Sequence, residues 1–338
     1  MTSERNNAID IARTIAMVSI ILGHLGVPSF AKIVFTYHVT MFYLIAGYFA
    51  KPSNNFQKFL YHKLRTLIIP YYISCAAVFP FMLLRSITRY AAGSPKDIIH
   101  YWSTAILLGS GWTPEYLHIN VIGMVWFLWA LFWAALILYG LLKCKPYVRL
   151  VSVFAYFAFM LISKKYFFLP FSLQPSGAAL LFMYLGYLYH QIEPEVNKFT
   201  KEQKYTIYVL MVWLWLSFVK NFQSFWLVSD DVGRGIPDIL GSLAGCSTVI
   251  VLCTFLNKKH NRFALFFGYF GKYSIMMVFF HYFEDCTGIL RFIARGIVHS
   301  TVSNAFYTLK FVFELIFVFT GTYIFSKIPF LRKMFGLR

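Results

Sequence analysis

Long apolar blocks alternate with short polar gaps along the whole chain. Most blocks run for roughly 20 residues, the length that crosses a bilayer as an α-helix. The gaps are rich in Pro, Gly, Asn and Lys. This pattern predicts helices over 8–28, 33–50, 66–90, 118–142, 147–163, 174–190, 204–220, 236–256, 265–283 and 304–326. Between Ala91 and Leu117, Ser94-Pro95-Lys96-Asp97 reads as a helix start, with serine as the cap and proline first inside. Ile98, Ile99, Trp102, Ile106 and Leu107 follow near helical spacing, which predicts a short surface helix over about 95–109. The expected fold is all-α: one polytopic transmembrane bundle of about ten helices, residues 1–338, without an internal repeat or a soluble domain.

Composition agrees. Of 338 residues, 59% are hydrophobic, 20% aromatic and only 13% charged. Soluble domains are nearer half apolar and a quarter charged. The formal charge of +18 would suggest nucleic acid in a soluble protein, but no soluble basic domain exists here to bind it. Lys and Arg instead gather in alternate gaps, such as Lys143/Lys145/Arg149, Lys198/Lys201/Lys204 and Lys258/Lys259/Arg262. That bias puts those gaps, and both termini, in the cytoplasm. Asp10 and Arg13 interrupt the first apolar stretch and no small-x-small site follows it, so it reads as a first helix and not a cleaved signal. Cys75, Cys144, Cys246, Cys253 and Cys286 form no C-x-x-C pair and suggest neither disulfides nor zinc.

The first helix carries the most chemistry. Several ionisable groups in one apolar segment mark a functional site. At about 100° per residue, Arg13 and His24 fall about 20° apart on the helix wheel, and Asp10 lies about 40° from His24. Asn6 projects the same way. Arg13 and His24 are about 16 Å apart along the axis, so the stripe reaches from the cytoplasmic end past mid-membrane. Histidine titrates near neutrality and suits a general base. Arginine presents a fixed fork of donors that suits phosphate. The plain alternatives are an Arg13 that snorkels to the interface, paired with Asp10, and a structural His24.

His38 lies at a depth comparable with His24, and the two suit one cavity. Lys63 and Arg65 suit phosphates at the inner face, or are simply positive-inside residues. Lys272 and His281 lie early and late in the ninth segment. Glu314 follows Lys310 by four residues, which predicts an intrahelical ion pair. Asp97, Glu115, Asp230, Asp231, Asp238, Glu284 and Asp285 cluster near the outer ends with Trp112 and Trp226. Carboxylates beside aromatic rings suit a sugar; an ordinary interfacial aromatic belt gives the same pattern. No nucleophile elbow, P-loop or dinucleotide fingerprint occurs, and no residues suggest a bound metal, haem or flavin.

These segments together resemble the membrane-bound acyltransferase-3 family of bacterial O-acyltransferases. IDIARTIAMVSIILGH is similar to its opening signature, an arginine and a histidine separated by ten residues, here Arg13 and His24. HVTMFYLIAGYF resembles its second-helix motif, KLRTLIIPYY the start of its third helix, MVWFLWAL its Trp-Phe-Leu segment and GKYSIMMVFFH its late Gly-x-x-Ser…His segment. The second-helix motif departs from the family at Ala46, where a serine is usual, so no role is carried to that position. Short members of the fucose-acetylase-like kind are the most similar.

The resemblance implies transfer of an acyl group, usually acetyl, from cytoplasmic acetyl-CoA to a sugar hydroxyl of a surface polysaccharide or glycolipid. It places the protein in the bacterial cytoplasmic membrane, with the bilayer, acetyl-CoA and a sugar acceptor as partners and no bound cofactor. His24, Arg13 and Asp10 are then the catalytic group, with His24 as base. Lys63, Arg65 and Lys272 serve the donor, and His38, Trp126, Glu115 and His281 the acceptor. The competing reading is a transporter or flippase of a glycan, against which the chain shows no matching pair of broken helices.

Overall fold

The computed structural model describes residues 6–89, 95–114, 117, 120–258, 261–299, 301 and 303–337. Glu115 and the cap residue Ser94 lie outside them. The described residues are all-helical, with no strand.

Asn6 opens α1 (Asn7–Gly23) by accepting from the amides of Ala8 and Ile9. α1 stops at Gly23 and not at 28, so His24 is its cap. Gly26, at φ +82°, turns the chain, and Pro28 starts the next helix, where its missing N–H costs nothing. α2 (Pro28–Val34) and α3 (His38–Tyr48) share one apolar stretch. α4 (Phe56–Lys63) runs through a π-helical turn at Leu64–Ile68 into α5 (Ile69–Arg89). α6 (Pro95–Leu108) is the short helix expected from Pro95. α7 (Trp126–Leu141) starts later than the expected 118. Then come α8 (Pro146–Ser163), α9 (Ser176–Asn197), α10 (Lys201–Lys220) and α11 (Ile236–Lys258). The expected ninth span is not straight. It breaks into α12 (Arg262–Lys272) and α13 (Ser274–Thr287), which meet at 78°. α14 (Ile289–Val298), α15 (Asn304–Lys327) and α16 (Pro329–Met334) complete the chain.

Five stretches are long and apolar enough to cross a membrane: Pro28–Tyr48, Phe56–Leu84, Pro146–Ser163, Ile236–Lys258 and Asn304–Lys327. Counting α12 and α13 as one broken span gives six. The other expected spans are helical but shorter or more polar. α1 and α7 have 17 and 16 residues. α9 ends in His190, Glu193 and Glu195, and α10 begins in Lys201, Glu202 and Lys204.

Backbone-to-backbone packing holds the bundle, as expected where hydrophobic burial alone cannot drive helices together. A side chain at Gly47 of α3 would collide with the Met183 carbonyl of α9, and one at Gly186 of α9 with the Leu44 carbonyl of α3. Gly271 of α12 lies in the same way on the Asp10 carbonyl of α1. Thr14 donates to the Phe267 carbonyl at 2.6 Å, and Asn7 to Asn257 Oδ1 at 2.7 Å, so α1 is clamped between α11 and α12. One buried cluster joins α5, α7, α9 and α13. A second joins Ile11, Ala12 and Ala16 to Met41, Ile45, Cys246 and Val249. Exposed apolar residues such as Leu210, Trp213, Leu216 and Ile316 cover the outside, the surface a lipid-facing bundle presents.

Candidate active site

Three titratable side chains from three helices form a chain at one end of α1. His24 Nδ1 lies 2.8 Å from His281 Nε2, and His281 Nδ1 lies 2.5 Å from Glu314 Oε1. The two imidazoles stack, 5.1 Å apart and 18° from parallel. His281 and Glu314 are fully buried among the aromatic residues of α13 and α15. Glu314 therefore pairs with His281 and not with Lys310, the partner expected from i, i+4 spacing. The hydrogen-bond directions follow from chemistry. With His281 neutral, its Nδ1–H donates to Glu314 Oε1 and its Nε2 accepts from His24 Nδ1–H. That leaves His24 Nε2 with its lone pair.

His24 borders a cavity of about 190 Å³ that His38, Thr40, Phe35 and Trp126 also line. His38 is buried, and its Nδ1–H donates to the Val34 carbonyl at 2.7 Å, which frees its Nε2 as an acceptor. Phe35 stands edge-on to His38, with ring centres 4.8 Å apart, and stacks at a tilt on Trp226 at 4.6 Å. Two loops line the cavity, through Gly111, Gly123 and Met124 on one side and Phe225 to Val228 on the other. Gly111 has no space for a side chain between Trp126 and Val228. Lys164 fixes the second loop by donating to the carbonyls of Ser229 and Asp230, both at 2.9 Å. Asp230 is a buried residue in the left-handed region, φ 53°, and its Oδ1 has no hydrogen-bond partner. Burial pushes its carboxyl up to about 8, although Lys164 pulls the other way.

The other end of α1 holds Asp10 and Arg13. Arg13 Nη1 pairs with Asp10 Oδ1 at 3.3 Å, and the guanidinium carbon lies 6.0 Å from the Phe49 ring centre. Exposed Lys272 follows Gly271 and so sits beside Asp10. Lys63 ends α4 with its ammonium 5.5 Å from the Phe59 ring, which stacks on Tyr139. Half-buried Arg65 lies in the π turn, its carbonyl against Gly336. The structure thus brings His24, His38, Trp126 and His281 together at one end and Asp10, Arg13 and Lys272 at the other. Ile20 is the α1 residue of the cavity wall nearest Arg13, which lies about 10 Å further along the axis. Among the described residues no three His, Cys, Asp or Glu side chains come together as a metal site.

Sequence reasoning missed Glu314 and Phe35 as site members, and raised Trp226 only among the outer aromatic residues. A signal for Glu314 was present: it is the lone carboxylate in an apolar helix of 24 residues. Lys310, four residues earlier, satisfies the local pairing rule as well.

Residues 6–330 match the family described as an acyltransferase domain. The chain belongs to the acyltransferase-3 family. No curated protein and no solved structure matches it. The protein is a membrane acyltransferase with an all-α fold. In the acyltransferase the family-like Ala46-Gly47-Tyr48 stretch lies where α3 meets α9, and the glycine is what permits that contact.

Proposed function

We propose that this acyltransferase moves an acetyl group from acetyl-CoA, offered at the cytoplasmic, Arg13 end, to a sugar hydroxyl held in the cavity beside His24. The acceptor belongs to a surface polysaccharide or glycolipid, and the membrane is the bacterial cytoplasmic membrane. The observation that carries this reading is the hydrogen-bonded chain from His24 through His281 to Glu314 at a cavity wall.

The chemistry follows from that chain. His24 Nε2 takes the hydroxyl proton as the oxygen attacks the thioester carbonyl. Glu314, through His281, favours the imidazolium that results, as a carboxylate does for a catalytic histidine. The carbon–sulfur bond breaks, and the proton on His24 passes to the departing thiolate. Arg13, oriented by Asp10, receives a donor phosphate, with Lys63, Arg65 and Lys272 adding positive charge. His38 and Trp126 hold the acceptor.

Membranes containing the protein, given radiolabelled acetyl-CoA and host glycan, test this directly. Wild type is expected to label the glycan. His24→Ala is expected to lose roughly 10²–10⁴-fold in rate, the usual contribution of a general base. Undiminished labelling by a folded His24→Ala protein would falsify the base assignment. Labelled glycan crossing proteoliposome membranes with no donor present would instead favour transport.

A further inference from the structure

The cavity walls narrow the acceptor beyond "a sugar". The space is about 190 Å³, room for roughly a dozen waters at about 15 Å³ each. A hexose ring has about a dozen non-hydrogen atoms. The pocket is smaller than the roughly 300–1,000 Å³ of sites that enclose drug-sized ligands. It is also closed on one side. The two roof loops meet where Gly111 lies against Val228 and Trp126, which closes the path a second sugar would need on that side. The roof is fixed in place: the Trp226 carbonyl accepts from the amides of Ser229 and Asp231 at 3.0 and 3.1 Å, and Ile122 donates to the Ser110 carbonyl at 2.9 Å. At the rim, Trp226 is 46% exposed while packed on Phe35.

We propose that the site admits a single sugar ring, the terminal residue of the acceptor, which enters past Trp226 and stacks on it. An interior residue of a polymer carries glycosidic bonds on two sides and needs a groove open at both ends. A terminal residue carries one and fits a cavity closed on one side. Trp226 supplies an apolar face for the ring's C–H surface, and His24 and His38 supply nitrogens for its hydroxyls. This inference rests on the acyl-transfer reading for the chemistry but not for the binding.

The test uses the purified full chain in detergent, a single-ring hexoside and an oligosaccharide that ends in the same sugar. With acetyl-CoA present, mass-spectrometric fragmentation is expected to place the ester on the terminal ring alone. Ester on interior residues overturns the inference and leaves acyl transfer standing. Trp226→Ala is expected to raise the KM for acceptor at least tenfold with kcat kept, whereas a structural role would lower kcat as well. Val228→Ala, which opens the roof contact, is expected to let interior residues react. Calorimetric titration of the hexoside into His24→Ala protein reads the cavity without chemistry. Binding there that Trp226→Ala weakens supports the inference even where no ester forms, and no binding overturns it.

Discussion

His24 owes the orientation of its lone pair to a carboxylate near the far end of the chain. Glu314→Gln keeps the shape but can donate to His281, which permits the wrong tautomer. Its kcat is expected to fall by on the order of 10²–10⁴ with the KM for donor unchanged, measured by acetyl transfer. Lys310→Met is expected to stay near wild type, because Glu314 pairs with His281. Asp230 gives a pH prediction. Its folded-state value of about 8 stands above the ordinary aspartate value of 3.8. Between those values the folded protein keeps a proton that the unfolded chain has lost, so stability falls as pH rises from about 4 to about 8, then levels off. Asp230→Asn is expected to flatten that slope in melting midpoints taken across pH 5–8; an unchanged slope contradicts it. At this scale depth along the sequence matched His38 to His24, and the two line one cavity. The contact with His281 was not legible, because no local rule links α1 to α13, and the local rule that did apply to Glu314 chose Lys310.

Helices were visible as apolar blocks, but their breaks were not. Both halves of 265–283 are apolar, so periodicity runs through the 78° bend at Tyr273. The structure shows what goes with it: α12 lies on α1 with Gly271 against the Asp10 carbonyl, and α13 departs toward His24. The early end of α1 has a readable cause in Gly26 and Pro28, hidden by the hydrophobic run around them. In the second-helix motif Ala46 stands where the family has a serine, while the packing depends on Gly47 and its counterpart Gly186. Adding a methyl at either position forces two backbones apart. Gly47→Ala is expected to cost about 1–3 kcal/mol or more, seen as a lower thermal midpoint in detergent. A midpoint equal to wild type contradicts the close α3–α9 contact.

For the whole molecule, charge bias predicts an orientation that the protein's own cysteines can report. Cys144 is exposed beside Lys143 and Lys145, while Cys75, Cys246 and Cys253 are buried. A membrane-impermeant maleimide is expected to label Cys144 in inverted vesicles and not in right-side-out ones. The reverse pattern would invert the proposed entry side for the donor. The bundle class was legible from block length alone, whereas the number of true crossings was not, since α1, α7, α9 and α10 are short or polar at their ends. The relay also bears on biogenesis. Its three members sit on α1, α13 and α15, the first helix and the last long one. A ribosome-bound chain holds His24 in the membrane long before Glu314 has been synthesised. On the proposed mechanism the nascent protein is inert toward a thioester until α15 has inserted, and the onset of acyl transfer then reports that insertion is complete.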